Sequence, residues 1–213
     1  MNKRYNDIVS KNIHENIGIY FTVTLFFAIG IAAGAFTIKA LDSNKKQDLV
    51  IYLNNFFQIL NSQNIPNSQI FLQSLKNNFQ TVFFIWLLSI TIIGVPVTLF
   101  VTTFRGFIVG FTIAFLIEGL GWKGLIFTSI AVLPQNILYI PCLLIISAFS
   151  LAFSLQAFRQ KIRGTASIGV KNNILSYTVI VAVFFIIMSI GSAIEAYLSP
   201  VLIKSLASYM IYQ

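Results

Sequence analysis

The sequence predicts an all-α protein: a polytopic membrane helix bundle with about five transmembrane helices and an extracytoplasmic helical loop. Three observations carry that prediction. Hydrophobic residues make up 57% of the 213 residues, and charged residues only 9%. A soluble domain carries roughly 25% charged residues, so this chain has too few to cover a surface facing water. The apolar residues also gather in long runs, and a hydrocarbon core about 30 Å thick needs about 20 of them per helix. Finally, Phe occurs 21 times, which suits segments with hydrocarbon on every side.

The first run, Ile17 to Ile38, follows a polar stretch containing Lys3, Arg4 and Lys11. A basic start and an apolar stretch also open a secretory signal, and Ala33-Gly34-Ala35 resembles its cleavage site. The run is long for that purpose. Gly30 and Gly34 also stand four apart, the spacing that lets membrane helices approach backbone to backbone. An uncleaved first helix is expected.

Residues 39–78 form the longest polar segment, read as a helical loop within a single membrane domain of residues 1–213. Leu49, Tyr52, Leu53, Phe56, Phe57 and Leu60 recur at steps of three and four, which predicts an amphipathic helix. An exposed apolar stripe marks an interaction site or a membrane surface, so Tyr52, Phe56, Phe57 and Leu60 are the candidate docking residues. Asn61 to Ser68, with Pro66, reads as a turn. A second helical pattern restarts near Gln69, with Ile70, Leu72, Leu75 and Phe79, and runs into the next apolar segment.

That segment, about Thr81 to Thr103, holds Pro96, which should kink it. Arg105-Gly106 reads as a short polar turn, after which Phe107 to Ile117 continues apolar and stops at Glu118. Gly119, Gly121 and Gly124 around Trp122 and Lys123 predict a turn at the interface, where Trp is enriched. Leu125 to Phe158 is apolar for more than thirty residues, longer than one straight crossing needs. Pro134 and Pro141 lie inside it, so a break is expected: a kinked long helix, or a half-helix followed by a full one. Non-helical backbone survives at membrane depth only where protein or water shields it. Arg159, Lys161, Arg163 and Lys171 mark a polar loop, and the last run, Ile174 to Leu198, is closed by Ser199-Pro200.

The net charge of +8 fits that layout better than nucleic-acid binding, which needs basic residues clustered on a soluble face. With the N-terminus in the cytoplasm, the inner segments are residues 1–16, the Arg105 turn and the Arg159–Lys171 loop. They hold eight of the Lys and Arg residues, against six spread over the longer outer segments. That bias agrees with the positive-inside rule, and five crossings put the C-terminus outside. The single cysteine, Cys142, excludes a disulfide within the chain and reads as a small hydrophobe.

Catalytic chemistry has little to work with. The one histidine, His14, lies in the N-terminal polar stretch, and no HExxH, Walker or GxGxxG sequence occurs. A serine nucleophile would lack its base in the membrane. No enzyme activity, cofactor or metal is expected. Arg105, Glu118 and Glu195 lie in or beside apolar runs, where an ionisable group is a functional hypothesis by default. Each also sits near a segment end and can reach the interface by snorkelling. Gln135 and Asn136, between Pro134 and Pro141, need hydrogen-bond partners or cost a few kcal/mol. They either satisfy the carbonyl that Pro134 frees, or meet another helix or subunit.

A series of blocks then brings a family into view. They are Gly34-Ala35-Phe36; Asp48-Leu49 with Tyr52-Leu53 and Phe56-Phe57; Ile93-Gly94-Val95-Pro96; and Gly106 with Val109-Gly110-Phe111-Thr112. Pro134-Gln135-Asn136 with Ile140-Pro141, Ala152-Phe153-Ser154-Leu155, and Glu195-Ala196-Tyr197 with Ser199-Pro200-Val201-Leu202 complete the set. In this order, over nearly the whole chain, they resemble the stage II sporulation protein M family of endospore formers. Wider relatives often carry His-Gly and Glu where this chain has Gln135-Asn136 and Tyr139, so no role resting on those groups transfers to it. The resemblance implies a non-enzymatic scaffold in the mother-cell membrane during engulfment. It also implies two peptidoglycan-remodelling partners, stage II sporulation proteins D and P, which the scaffold recruits and localises. The alternative is a small-molecule or ion permease, suggested by the broken Leu125–Phe158 run and by Glu118 and Glu195, since transporters use discontinuous helices.

Overall fold

A computed structural model describes residues 17–62, 66–91, 93–162 and 168–203, and every element among them is helical. In chain order these are α1 (Ile17–Lys39), α2 (Ser43–Ser62), α3 (Asn67–Ser89), α4 (Gly94–Leu120) and the short α5 (Trp122–Phe127). A π-turn, Thr128–Val132, leads into α6 (Leu133–Ile162), and α7 (Ile168–Ala193) runs into a second π-turn, Ile194–Leu198.

The closest packing is between α1 and α4, and small residues make it possible. Gly30 lies under the Thr103 carbonyl and Gly34 under the Phe107 carbonyl, while Gly106 faces the Phe27 carbonyl and Gly110 the Ile31 carbonyl. A side chain at any of the four would strike backbone. Membrane helices gain no hydrophobic drive from meeting each other, so backbone contact of this kind supplies the attraction. The paired positions rise together along both helices, so α1 and α4 are parallel.

Two parallel crossings require a return between them, and α3 supplies it. Ser89 stands 3.4 Å from Thr98, while Asn77 and Thr81 meet Arg105, so α3 runs antiparallel to α4. Among the described residues, four spans are long and apolar enough to cross a bilayer: Ile17–Lys39, Gly94–Leu120, Trp122–Arg159 and Ile174–Ile203. The fifth member, α3, carries Ser74, Asn77 and Asn78 in its first half. Its place follows from packing, not from composition.

Two expectations need correction, and one pair of alternatives is decided. The chain turns between Ser89 and Gly94, not at Arg105-Gly106. Pro96 therefore sits in the first turn of α4, where proline costs no helical hydrogen bond, and Arg105 lies mid-helix. For Leu125 to Phe158 the long-helix alternative holds: helix continues from Trp122 to Ile162 through the π-turn, with Pro141 inside α6. The last helix does not stop at Ser199-Pro200 but continues to Ile203.

Both π-turns have the same cause. Each is followed by a proline two residues on, Pro134 and Pro200. Leu133 N–H reaches back to Thr128 O, and Ser199 N–H to Ile194 O, a step of five instead of four. Proline lacks an N–H and its ring crowds the carbonyl four residues earlier, so a locally widened helix accommodates it. Such single π-turns are frequent at functional sites.

The core gathers Phe27, Ile85, Cys142, Ile146, Phe149 and Met188 among others. Ser147, Ser150 and Ser154 form a fully buried small-residue face on α6. Ser147 meets Thr102 at 2.9 Å, Ser150 meets the Tyr177 hydroxyl at 2.6 Å, and Ser154 donates to the Thr91 carbonyl at 2.9 Å.

At the end of the bundle where α1 finishes, α2 lies against the others. Leu53 is buried with Leu116, Phe127 and Ala131, and Lys46 pairs with Glu118 at 2.8 Å. The apolar stripe of α2 is thus partly used inside the molecule. Tyr52, by contrast, remains 65% exposed. The side chains of Phe56, Phe57 and Leu60 lie outside the described residues.

Candidate intramembrane site

A cavity of about 250 Å³ lies among α3, α4, α6 and α7. Its polar side chains come from helices that sequence reading treated separately: Ser74, Asn77 and Asn78 from α3, Arg105 from α4, Gln135, Asn136 and Tyr139 from α6, and Glu195 from the second π-turn. Ile108, Ile140, Leu143 and Met188 supply apolar wall. Val132, the last residue of the first π-turn, lines it too, so both widened turns border the same space.

Arg105 is eleven residues from the start of α4 and fifteen from its end, about 16 Å and 22 Å at 1.5 Å per residue. It is therefore near the middle of α4, a span long and apolar enough to cross a bilayer, and partly buried against α3. Its Nη2 donates to the Asn77 carbonyl at 3.0 Å and to the Thr81 hydroxyl. A turn position would have let it snorkel to the interface; the continuous α4 does not.

Glu195 is also drawn inward. Its Oε2 accepts from the Ser74 hydroxyl at 2.5 Å and from the Tyr139 hydroxyl at 2.9 Å. Tyr139 stands 3.0 Å from Ser192 Oγ, which accepts from Asn78 Nδ2 at 3.2 Å. One phenol proton serves one acceptor at a time. A carboxylate oxygen can only accept, so that proton goes either to Glu195 or to Ser192 Oγ. Arg105 attracts Glu195 across the cavity, yet the only direct ion pair among the described residues is Lys46–Glu118. Glu118 lies away from the cavity, at the end of α4 with 43% of its side chain exposed.

Gln135 and Asn136 find partners within the chain. Asn136 Nδ2 donates to the Val132 carbonyl at 2.8 Å, and Gln135 Oε1 accepts from Ser199 Oγ at 3.1 Å. The carbonyl served is that of Val132, inside the π-turn, and the second amide ties α6 to the end of α7. Bonds between membrane helices average about 0.6 kcal/mol, and an unsatisfied buried group costs about 1–3 kcal/mol. Gln135→Leu with Asn136→Leu is expected to lower stability by about 1–3 kcal/mol. Unfolding of the detergent-solubilised protein measures it; a wild-type midpoint would count against these bonds.

The sequence does not single out Ser74, Asn77, Asn78 or Ser192, and it marks Tyr139 only as the place where wider relatives carry Glu. A signal was present: Ser74, Asn77 and Asn78 are spaced i, i+3, i+4, which places them on one helix face. Ser192 and Glu195 are likewise three apart. The apolar positions of the second helical pattern, Ile70, Leu72, Leu75 and Phe79, mask that face in the sequence.

A family model described as stage II sporulation protein M matches residues 23–200. No curated protein matches the chain, and no solved structure does.

Proposed function

The chain belongs to the stage II sporulation protein M family, and from that premise we propose that it is a non-enzymatic membrane scaffold of the engulfment machinery. It recruits and localises peptidoglycan-remodelling enzymes, stage II sporulation proteins D and P, in the mother-cell membrane. The observation that carries this reading is the seating of α2. Leu53 and the Lys46–Glu118 pair hold it on the end of the bundle, while Tyr52 keeps 65% of its surface exposed. A helix anchored on one face and apolar on the other suits a docking role.

Tyr52→Asp combined with Phe56→Asp is expected to remove both enzymes from the material co-purified out of sporulating cells, with the protein still inserted. Wild-type recovery would place docking elsewhere.

The same reading puts the N-terminus in the cytoplasm and α2, Glu118 and Trp122 outside. The order of basic residues along the sequence supports it: Lys3, Arg4 and Lys11 precede the first apolar run, and Arg159, Lys161, Arg163 and Lys171 separate the last two. A cysteine at Ser43 in a Cys142→Ser background should react with an impermeant maleimide in intact protoplasts. Reaction only after permeabilisation would reverse the orientation.

The polar cavity at membrane depth favours a second reading, a small-molecule permease. Uptake of radiolabelled solutes into liposomes separates the two.

A further inference from the structure

We propose that the cavity binds a small zwitterion of the α-amino-acid class, with its carboxylate on Arg105 and its ammonium on Glu195. The inference goes beyond the scaffold reading and holds whether the bundle moves the ligand or only retains it.

The charges are placed for a ligand between them. Buried opposite charges that only neutralise each other gain most from direct contact. Arg105 and Glu195 line one cavity from different helices and form no ion pair. Both hydrogen bonds of Arg105 use Nη2 and reach α3, which fixes the guanidinium and leaves Nε and Nη1 for an anion. Both hydrogen bonds to Glu195 end on Oε2, which leaves Oε1 for a cation.

The spacing agrees. On α3, Glu195 is held at Ser74 and Arg105 at Asn77 and Thr81, three to seven residues further along, or about 5–10 Å at 1.5 Å per residue. In an α-amino acid the ammonium nitrogen and a carboxylate oxygen lie about 3 Å apart, given ordinary bond lengths. Two charge-assisted hydrogen bonds of about 2.8 Å each extend that to about 9 Å at most.

Size and lining narrow the class. Drug-sized ligands occupy about 300–1,000 Å³, and this cavity measures about 250 Å³. Ile108, Ile140, Leu143 and Met188 offer apolar contact to a short aliphatic side chain. Nothing in that wall provides a second charge for an acidic or basic one.

The test uses the full-length protein in detergent. Thermal unfolding is followed with 10 mM L-alanine, D-alanine, L-valine or L-leucine, and with acetate, methylammonium or glycerophosphoethanolamine as controls. Equilibrium dialysis of radiolabelled forms of the same four amino acids measures binding directly. At least one amino acid should raise the midpoint by about 3–6 °C at saturation and be retained in dialysis, with no effect from acetate or methylammonium. Glu195→Gln should weaken that binding at least tenfold, and Arg105→Lys, which keeps the charge but loses the fork, should also weaken it. The proposal is overturned if no amino acid shifts the midpoint or is retained by the wild type. It is equally overturned if folded Glu195→Gln binds at wild-type strength, or if glycerophosphoethanolamine alone stabilises, which would assign the site to a lipid headgroup. If a variant does not fold, the wild-type measurements decide.

Discussion

Replacing Gly34 with leucine is expected to separate α1 from α4 and to cost the bundle at least about 3 kcal/mol. A Cβ built at Gly34 strikes the Phe107 carbonyl oxygen and comes within 2.7 Å of the Phe111 nitrogen. Both neighbours are backbone in the interior of a helix, so no rotamer change relieves the contact. Overpacking a core costs typically about 1–3 kcal/mol when side chains can move aside. Here the helices themselves must part, and the contacts at Gly30, Gly106 and Gly110 loosen together. Gly18 has nothing within 4 Å, so Gly18→Leu should stay within about 0.5 kcal/mol of wild type, as an unpacked surface site does. Unfolding by sodium dodecyl sulfate in mixed micelles measures both. Equal midpoints for the two variants would show that α1 and α4 do not pack in this register.

The second large effect concerns the buried charges. Arg105→Met is expected to destabilise by about 1–3 kcal/mol, because it leaves Glu195 in the cavity without a positive charge. Two consequences oppose each other. Losing an arginine at membrane depth removes an insertion cost of about 2.5–3.5 kcal/mol. It also strips the Asn77 carbonyl and Thr81 of a charged donor, worth about 1.5–3 kcal/mol, and leaves Glu195 facing the cavity without a positive charge. The last term decides the sign. Arg105→Met with Glu195→Gln should therefore recover most of the loss. A double-mutant cycle should return a coupling of about 1–3 kcal/mol. Additive losses would mean that the two groups act independently and that Arg105 serves only to hold α3.

Hydropathy reading succeeds or fails here for physical reasons. It found α1 and the final span because those segments are apolar almost throughout, and the turn before Trp122 because glycines cluster there. It misread Arg105-Gly106 as a turn, since a charge followed by glycine usually interrupts a membrane helix. Gly106 instead lets the Phe27 carbonyl approach, and the arginine is tolerated because α3 offers it acceptors. It took the first half of α3 as part of a polar loop for the converse reason. Ser74 and Asn78 are buried against Glu195 and Ser192, so their polarity faces protein, and composition cannot tell that from water.

What the sequence by itself determined is the class of molecule, the helical periodicity of α2, the glycine spacing of α1 and the family. These depend on local composition and on order along the chain. Only the tertiary structure decided which way polar residues point. Ser74, Arg105, Tyr139 and Glu195 come from four separate stretches, and the cavity exists because α1 and α4 run parallel and α3 must return between them. Hydrogen bonds from Ser74 and Tyr139 to Glu195 span 121 and 56 residues of chain. No local pattern encodes a partner that distant, because the pairing is fixed by helix packing and by two prolines that widen the turns beside it.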